Sequence, residues 1–241
     1  MPKAIPIRMT DAITATDPPS LVSWYLGPHG PAGGRRYYER SDVLTGSPDH
    51  VGLADVGWAV LLAGGPRYQA AARLIDSPIS VESVPSAPLH TLSSTQRAAI
   101  ASCIGTFLTQ KPGPATHIGV SLATKMVHPK RRASVPVVDN QTIYRRFMVP
   151  GWKPGATDGI GTPGAKGVAG CIGRIHACVA DPSNASGWTA LESDPRFSRF
   201  TRIELFDMGW TAIERGGPST KRWWRSAVPG PVQPPHVSFA L

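Results

Sequence analysis

The chain has 241 residues and a mass of 25.6 kDa, with 25 Lys and Arg residues against 16 Asp and Glu residues and a formal net charge of +9. Its hydrophobic content of 41%, with only 17% charged residues, excludes a chain that is disordered throughout. No apolar run approaches the roughly 18 residues of a membrane span, and residues 1–17 lack the apolar stretch of a secretory signal.

The predicted pI near 9.9 favours a polyanionic partner. Since no strong basic amphipathic helix is present, nucleic acid accounts for the charge better than a membrane surface.

Three cysteines are too few for a disulfide scaffold and indicate reduced thiols. Cys171, His176 and Cys178 lack a fourth ligand at zinc-finger spacing. We therefore expect a cytoplasmic monomer with no cofactor, no metal and no membrane partner.

In chain order, residues 1–50 read as an irregular N-terminal segment packed on the main domain, because Pro and Gly pairs interrupt it. Apolar periodicity predicts helices over 51–63, over a short stretch from Pro66 that carries Leu74, and over 94–110. Ser93 and Gln96 have the spacing of a capping box before the last of these helices.

Further helices are predicted over 116–128, 140–149 and 195–215, the last with Asp194 as N-cap and Pro195 in its first turn. Eight glycines and two prolines in 151–173 indicate a flexible loop within an insertion over 151–187. The pattern predicts an all-α domain of about six helices over 51–215. A basic, aromatic and proline-rich tail over 216–241 follows it.

The segment 116–148 combines three features of chemical interest. Lys125 lies beside the apolar stripe of its helix, where an amine either extends to solvent or is partly desolvated and nucleophilic. Asp139 follows the apolar run 135–138 at a predicted helix start, where a carboxylate contacts first-turn amides. Asp139 is also the one acid among the cations of 125–146, an arrangement that suits an ionised acid beside phosphates.

These residues resemble the helix-hairpin-helix DNA glycosylase superfamily, in particular its 8-oxoguanine glycosylase-like branch and a related uncharacterised actinobacterial family. The resemblance extends over roughly 40–215 and is specific over 117–147. Two short motifs carry it, one around the lysine and one around the aspartate, through Ala123, Thr124, Lys125, His128, Pro136, Val137 and Asp139.

The resemblance implies a helix-hairpin-helix glycosylase-like fold and a DNA N-glycosylase that flips a modified base out of double-stranded DNA and leaves an abasic site. It assigns to Asp139 the stabilisation of the oxocarbenium-like sugar. Lys125 is the second catalytic candidate, either as a Schiff-base nucleophile with lyase activity or as a contact beside an attacking water. Its position fourteen residues before Asp139 favours the water route.

Candidates for contacts with DNA or the base are His128, Lys130, Arg131, Arg132, Asn140, Tyr144, Arg145, Trp24 and Trp210, with Trp58 as a further aromatic.

Several alternatives stay open at this point. The substrate is either a bulky hypermodified phage base such as glucosylated hydroxymethylcytosine, which implies antiviral defence, or an oxidised purine of the 8-oxoguanine type. A non-catalytic helix-hairpin-helix DNA-binding module would keep the basic stretch without a need for an ionised Asp139. The basic and aromatic residues 221–225 either stack on bases or belong to a disordered tail.

Overall fold

The structure is a computed structural model, and it describes residues 4–39, 46–63, 74, 78–109, 118–138, 143, 147–148, 165–216 and 219–226. It is mostly helical, as the sequence predicts. The described residues contain eight α-helices and five strands of two to four residues. Within these ranges, no helix has the length and apolar content that crossing a bilayer requires.

The N-terminal segment is ordered into regular elements, so the prediction of an irregular segment is wrong. It forms strands β1 (Ile7–Thr10) and β2 (Ile13–Ala15), followed by helices α1 (Pro18–Leu26) and α2 (Ala32–Glu39). Helix α1 begins at the N-cap Asp17, whose carboxylate accepts from the Ser20 N–H. Prolines in a first turn lack an N–H that would need a partner, so they start this helix rather than break it.

The middle of the chain follows the predicted periodicity. Helix α3 (Leu53–Ala63) lies after strand β3 (His50–Val51), which pairs with β4 (Ile79–Ser80). Helix α4 (Ser94–Thr109) begins with the predicted capping box, in which Ser93 and Gln96 each accept from the other's N–H. Of the predicted short helix after Pro66, only the buried Leu74 lies within the described residues.

Helix α5 (Val120–Val127) falls within the predicted 116–128, and a 3-10 turn (His128–Lys130) extends it. The predicted helix over 140–149 lies outside the described residues except at its buried positions Ile143 and Phe147 and the adjacent Met148.

The sequence predicts a flexible loop over 151–173, within an insertion over 151–187. From residue 165 onwards the structure is helical, so the prediction of a flexible loop is wrong there. Helix α6 (Ala165–Val179) and helix α7 (Ala185–Glu192) occupy this stretch. Helix α6 buries one face at helical spacing and packs on α4, so its apolar period outweighs its glycine content. That face consists of Val168, Cys171, Ile172, Ile175, Cys178 and Val179.

Helix α8 (Arg202–Arg215) begins seven residues later than the predicted start at 195. Its N-cap is Thr201 rather than Asp194, because Thr201 and Glu204 form a reciprocal capping box. Asp194 instead accepts from the Arg196 N–H within a turn. Every residue from Ile203 to Ile213 is buried, so α8 is the central helix of the fold.

The C-terminal described residues close a three-stranded sheet. A 3-10 turn (Lys221–Trp223) leads into strand β5 (Trp224–Ser226), which pairs antiparallel with β2, while β1 pairs with the other edge of β2. The register joins Ile7 to Ala15 and Ala15 to Trp224, all buried on the inner face. One continuous hydrophobic core includes residues from Ile7 to Trp224. The three cysteines, Cys103, Cys171 and Cys178, are buried in this core as free thiols.

Candidate functional site

A buried polar network lies where the 3-10 turn after α5 meets α8. The ring of His128 is 1% exposed, and its two nitrogens face acceptors on opposite sides. Nδ1 is 2.6 Å from the carbonyl oxygen of Val135, and Nε2 is 3.1 Å from Oε1 of Glu204. When the ring is protonated, each nitrogen donates one hydrogen bond, so His128 links the segment after it to the central helix.

Glu204 is the acidic centre of this network and is fully buried. Arg132 donates from Nε to Oε1 at 3.1 Å and from Nη2 to Oε2 at 3.0 Å, a two-pronged pairing. The Thr201 N–H donates to Oε2 at 2.7 Å. Burial raises the pKa of Glu204, but the hydrogen bonds and positive charges of His128 and Arg132 outweigh burial and lower the pKa from 4.5 to about 2.

Two tyrosines of α2 cover the network from the N-terminal side. The Tyr37 hydroxyl donates to the backbone carbonyl of Lys125 at 2.9 Å, and the Tyr38 hydroxyl donates to Asp207 on α8. Both rings lie against His128, with centroid separations of 5.7 and 5.8 Å. Burial raises the pKa of both tyrosines well above 10, and the negative charges of Glu204 near Tyr37 and of Asp207 near Tyr38 add to it, so both act as neutral donors.

The segment 135–138 is non-helical and buried, in keeping with its apolar sequence. It is fixed at both ends, because His128 holds the Val135 carbonyl and Thr124 Oγ1 accepts from the Val138 N–H at 3.1 Å. Thr124 also donates to the Val120 carbonyl at 2.9 Å within α5. The backbone that leads directly to position 139 is therefore anchored on the last turns of α5.

Lys125 lies on that same turn of α5, next to Thr124, and is half-buried as its place beside the apolar stripe predicts. Its amine donates to the Ser121 hydroxyl at 3.1 Å, one turn earlier on the helix. Asp139, Asn140, Tyr144 and Arg145 lie outside the described residues, as does the side chain of Trp58.

The predicted DNA contacts of Lys130 and Arg131 are corrected, because both side chains point into the protein. The Lys130 amine is 2.9 Å from Oδ1 of Asp55 and donates to the Ser47 carbonyl at 2.6 Å. The Arg131 guanidinium donates to the carbonyls of Val84 and Val81 at 3.0 and 3.2 Å and pairs with Asp49. These cations hold the connections around α3 and β4, so they do not offer a phosphate-binding face.

His128 is buried and held by Glu204, so it has a structural role in place of the predicted DNA contact. Arg132 also pairs with Glu204, but its side chain is 22% exposed, and its DNA contact stays a prediction. Of the predicted aromatic candidates, the two whose side chains lie within the described residues differ in exposure. Trp210 is 1% exposed and packs edge-on against Phe147 at 5.1 Å, so it is a core residue rather than a surface for a base. Trp24 is half-buried and packs on the core from α1.

Glu204, Tyr37 and Tyr38 are members of this cluster that the sequence reading missed. The Thr-x-x-Glu spacing of 201–204 is a capping-box signal and predicts the true start of α8. No local signal predicts that the same glutamate also pairs with residues 72 and 76 positions away.

A cavity of about 310 Å³ lies elsewhere, between the β1–β2 turn and α6. Arg8 and Arg174 line it together with Asp11 and Asp181, so the four charges balance. Because Arg8 already pairs with Asp181 at 2.6 Å, this cavity offers no excess positive charge to an anion.

Comparison of the chain with protein-family models, curated proteins and solved structures gives no significant match. Over the part of the chain that the structure describes, no group of three His, Cys, Asp or Glu side chains is arranged to hold a metal ion.

Proposed function

We propose that this protein is a DNA N-glycosylase of the helix-hairpin-helix type, which removes a modified base from double-stranded DNA. One observation supports this most directly: the hydrogen bond between Thr124 Oγ1 and the Val138 N–H. Thr124 immediately precedes Lys125 and Val138 immediately precedes Asp139. The two candidate catalytic positions therefore follow two residues that are in contact, although fourteen positions separate them in the chain.

In this proposal, Asp139 stays ionised and faces the sugar from which the base departs. The deoxyribose develops oxocarbenium character as its bond to the base breaks, and a nearby carboxylate stabilises that charge and orients a water. The water attacks C1′, the base leaves with the bonding electrons and a proton, and an abasic site remains.

Lys125 supports this reaction in one of two ways. If its amine attacks C1′, the product is a Schiff base and strand cleavage follows. If water attacks, Lys125 contacts a phosphate or the base. We favour the water route, and the hydrogen bond from its amine to Ser121 is consistent with an amine held along the helix.

The buried network supplies the rigidity that such a site needs. His128 and Arg132 are fixed by Glu204, and the segment 135–138 is fixed in turn by His128 and Thr124. A catalytic carboxylate must be held within a fraction of an ångström, and its supporting residues determine whether it is. His128, Arg132 and Glu204 are thus proposed as positioning residues.

The decisive experiment compares wild type with Asp139→Asn on three DNAs: phage DNA with glucosylated hydroxymethylcytosine, unmodified DNA and an 8-oxoguanine duplex. Released bases are measured by mass spectrometry and abasic sites by alkaline cleavage, without added metal. Wild type should release one modified base, and Asp139→Asn should lose at least about a hundredfold in rate while binding DNA equally well.

The matched control is Asp11→Asn, which removes an exposed carboxylate in the β1–β2 turn and should keep wild-type rates. Borohydride trapping of wild type and Lys125→Met then tests for a Schiff base. Salt-sensitive DNA binding with no base release from any substrate would replace the glycosylase with a non-catalytic DNA-binding module. We expect a monomeric cytoplasmic enzyme.

A further inference from the structure

A compact group of cations lies on the surface at the C-terminal end of the described chain. We call Lys221, Arg222, Trp223 and Arg225 the C-terminal basic surface. Lys221, Arg222 and Arg225 are exposed, and Trp223 is half-buried against the core. No acidic residue occurs in the sequence from 216 onwards, so local acids do not neutralise these charges.

The backbone beneath this surface is firmly held. The Trp223 carbonyl accepts from the N–H groups of Thr16 and Asp17 at 2.8 and 3.1 Å, at the start of α1. Strand β5 pairs with β2, and Trp224 turns inward and is 9% exposed. The cations therefore project from a turn and a strand whose positions the fold fixes.

Lys221, Arg222 and Arg225 differ from most other basic side chains of the described residues in their ion pairing. Lys130, Arg132 and Arg202 each pair with an acid. Among the described residues, no acid lies within ion-pair distance of Lys221, Arg222 or Arg225. The Arg222 guanidinium instead lies over the Trp223 ring, 4.6 Å from its centroid, which restrains its orientation while leaving its N–H groups available.

The sheet places Arg8, which already pairs with Asp181, next to this surface, so the cations that no acid of the described ranges pairs with are those of residues 221–225. Thr14 of β2 faces Arg8 of β1 on one side and Arg225 of β5 on the other. Neighbouring strands lie about 4.8 Å apart, so the backbones of Arg8 and Arg225 are roughly 10 Å apart on one outward face.

We propose that the C-terminal basic surface binds the phosphate backbone of DNA. The inference rests on the proposed function for its choice of partner. It assigns the electrostatic contact to residues outside the basic run 130–132, whose Lys130 and Arg131 are buried. A guanidinium stacked on an indole is suited to phosphate oxygens, and so are lysine and arginine groups that no acid of the described residues pairs with.

An anionic membrane fits this surface less well. Proteins that lie on a membrane insert large apolar side chains beside their cations. In the described part of the chain, the large apolar side chains that are exposed are Ile5 and Leu53, and neither belongs to the C-terminal basic surface.

The test compares two triple variants of equal charge. The first is Lys221→Ser, Arg222→Ser and Arg225→Ser. The control is Arg196→Ser, Arg199→Ser and Arg215→Ser, which removes three exposed cations elsewhere, two of them paired with Asp194 and Glu214. Binding to a short fluorescein-labelled duplex is followed by anisotropy over a range of salt concentrations, and base release is measured on the same preparations.

The first triple variant should bind at least about tenfold more weakly at low salt, and its slope of log affinity against log salt should fall by about 2.7. The control variant should stay within about threefold of wild type. Equal losses in the two variants would overturn the proposal, since net charge alone would explain them. So would preferential binding of wild type to phosphatidylserine vesicles over DNA.

The two proposals fail separately. If wild type binds DNA through this surface but releases no base, the surface is supported and the glycosylase is not. If base release and affinity are both unchanged in the first triple variant, the surface is overturned and the glycosylase stands.

Discussion

Two basic stretches of this chain look alike in sequence and differ completely in the fold. Lys130, Arg131 and Arg132 follow one another after α5, and each reaches an acid that lies far away in the chain. Lys221, Arg222 and Arg225 project from a turn and an edge strand and reach no acid among the described residues. A run of cations in a sequence therefore indicates a polyanionic partner only if its side chains are not already paired with acids inside the protein.

The largest expected effect comes from the internal stretch. Lys130→Met removes the ammonium group 2.9 Å from the buried carboxylate of Asp55, which should lower the free energy of unfolding by about 3–5 kcal/mol. Adding Asp55→Asn removes the remaining charge and keeps an acceptor for the Gly52 N–H, so the double variant should regain part of that loss.

Urea unfolding of the two single variants and the double variant measures this coupling. Arg225→Met is the matched control, since it removes a cation of the exposed stretch. If Lys130→Met costs no more than Arg225→Met, the distinction between the two stretches does not hold.

A smaller effect on the free energy of unfolding is expected when the pH is lowered. The pKa of Glu204 lies at about 2 in the folded protein, against an ordinary value of 4.5. Its contribution to stability is therefore fully present above pH 4.5 and is lost as the pH falls towards 2, an effect of about 3 kcal/mol. Unfolding measured across that range should depend less steeply on pH in Glu204→Gln than in wild type.

The control for this experiment is Glu192→Gln, which removes a partly exposed carboxylate that pairs with Arg202 at 2.7 Å. At neutral pH this variant should lose less stability than Glu204→Gln, because its ion pair is partly exposed. An unchanged acid limb in Glu204→Gln would show that the ion pairs of His128 and Arg132 do not stabilise the fold.

The smallest effect is expected from the exposed stretch. Lys221→Ser and Arg225→Ser should each change the free energy of unfolding by no more than about 0.5 kcal/mol, because no side-chain hydrogen bond or ion pair to a described residue is lost. Arg222→Ser should cost no more than about 1 kcal/mol, since it also removes the stacking on Trp223. Thermal unfolding followed by circular dichroism measures this. A large loss would mean that these cations stabilise the fold, as Lys130 does.

Helices α3 and α4 could be predicted because their signals are local: an apolar period and a capping box lie within one stretch of chain. The glycine content of α6 predicts a loop, whereas the spacing of Val168, Ile172 and Ile175 is helical, and these three residues form its buried face. The N-terminal strands could not be predicted, since β2 depends on a partner at 224–226.

For the candidate site, the sequence indicated the half-buried position of Lys125 and the burial of the segment before Asp139. It could not indicate that Lys130 and Arg131 are internal, since that depends on Asp55 and Asp49, which lie far away in the chain. The sequence shows the number of charges in a run, whereas only the fold determines which of them face solvent.

The pairing of β2 with β5 has a consequence for how the protein matures. Ile13 faces Ser226, so the sheet joins residues from opposite ends of the described chain. During synthesis, residues 7–15 leave the ribosome early and wait for a partner strand that is among the last described residues to be made. The C-terminal basic surface is built on that late strand. A nascent chain therefore acquires its proposed DNA-binding surface only when the sheet closes, and Trp224 joins the hydrophobic core in the same step.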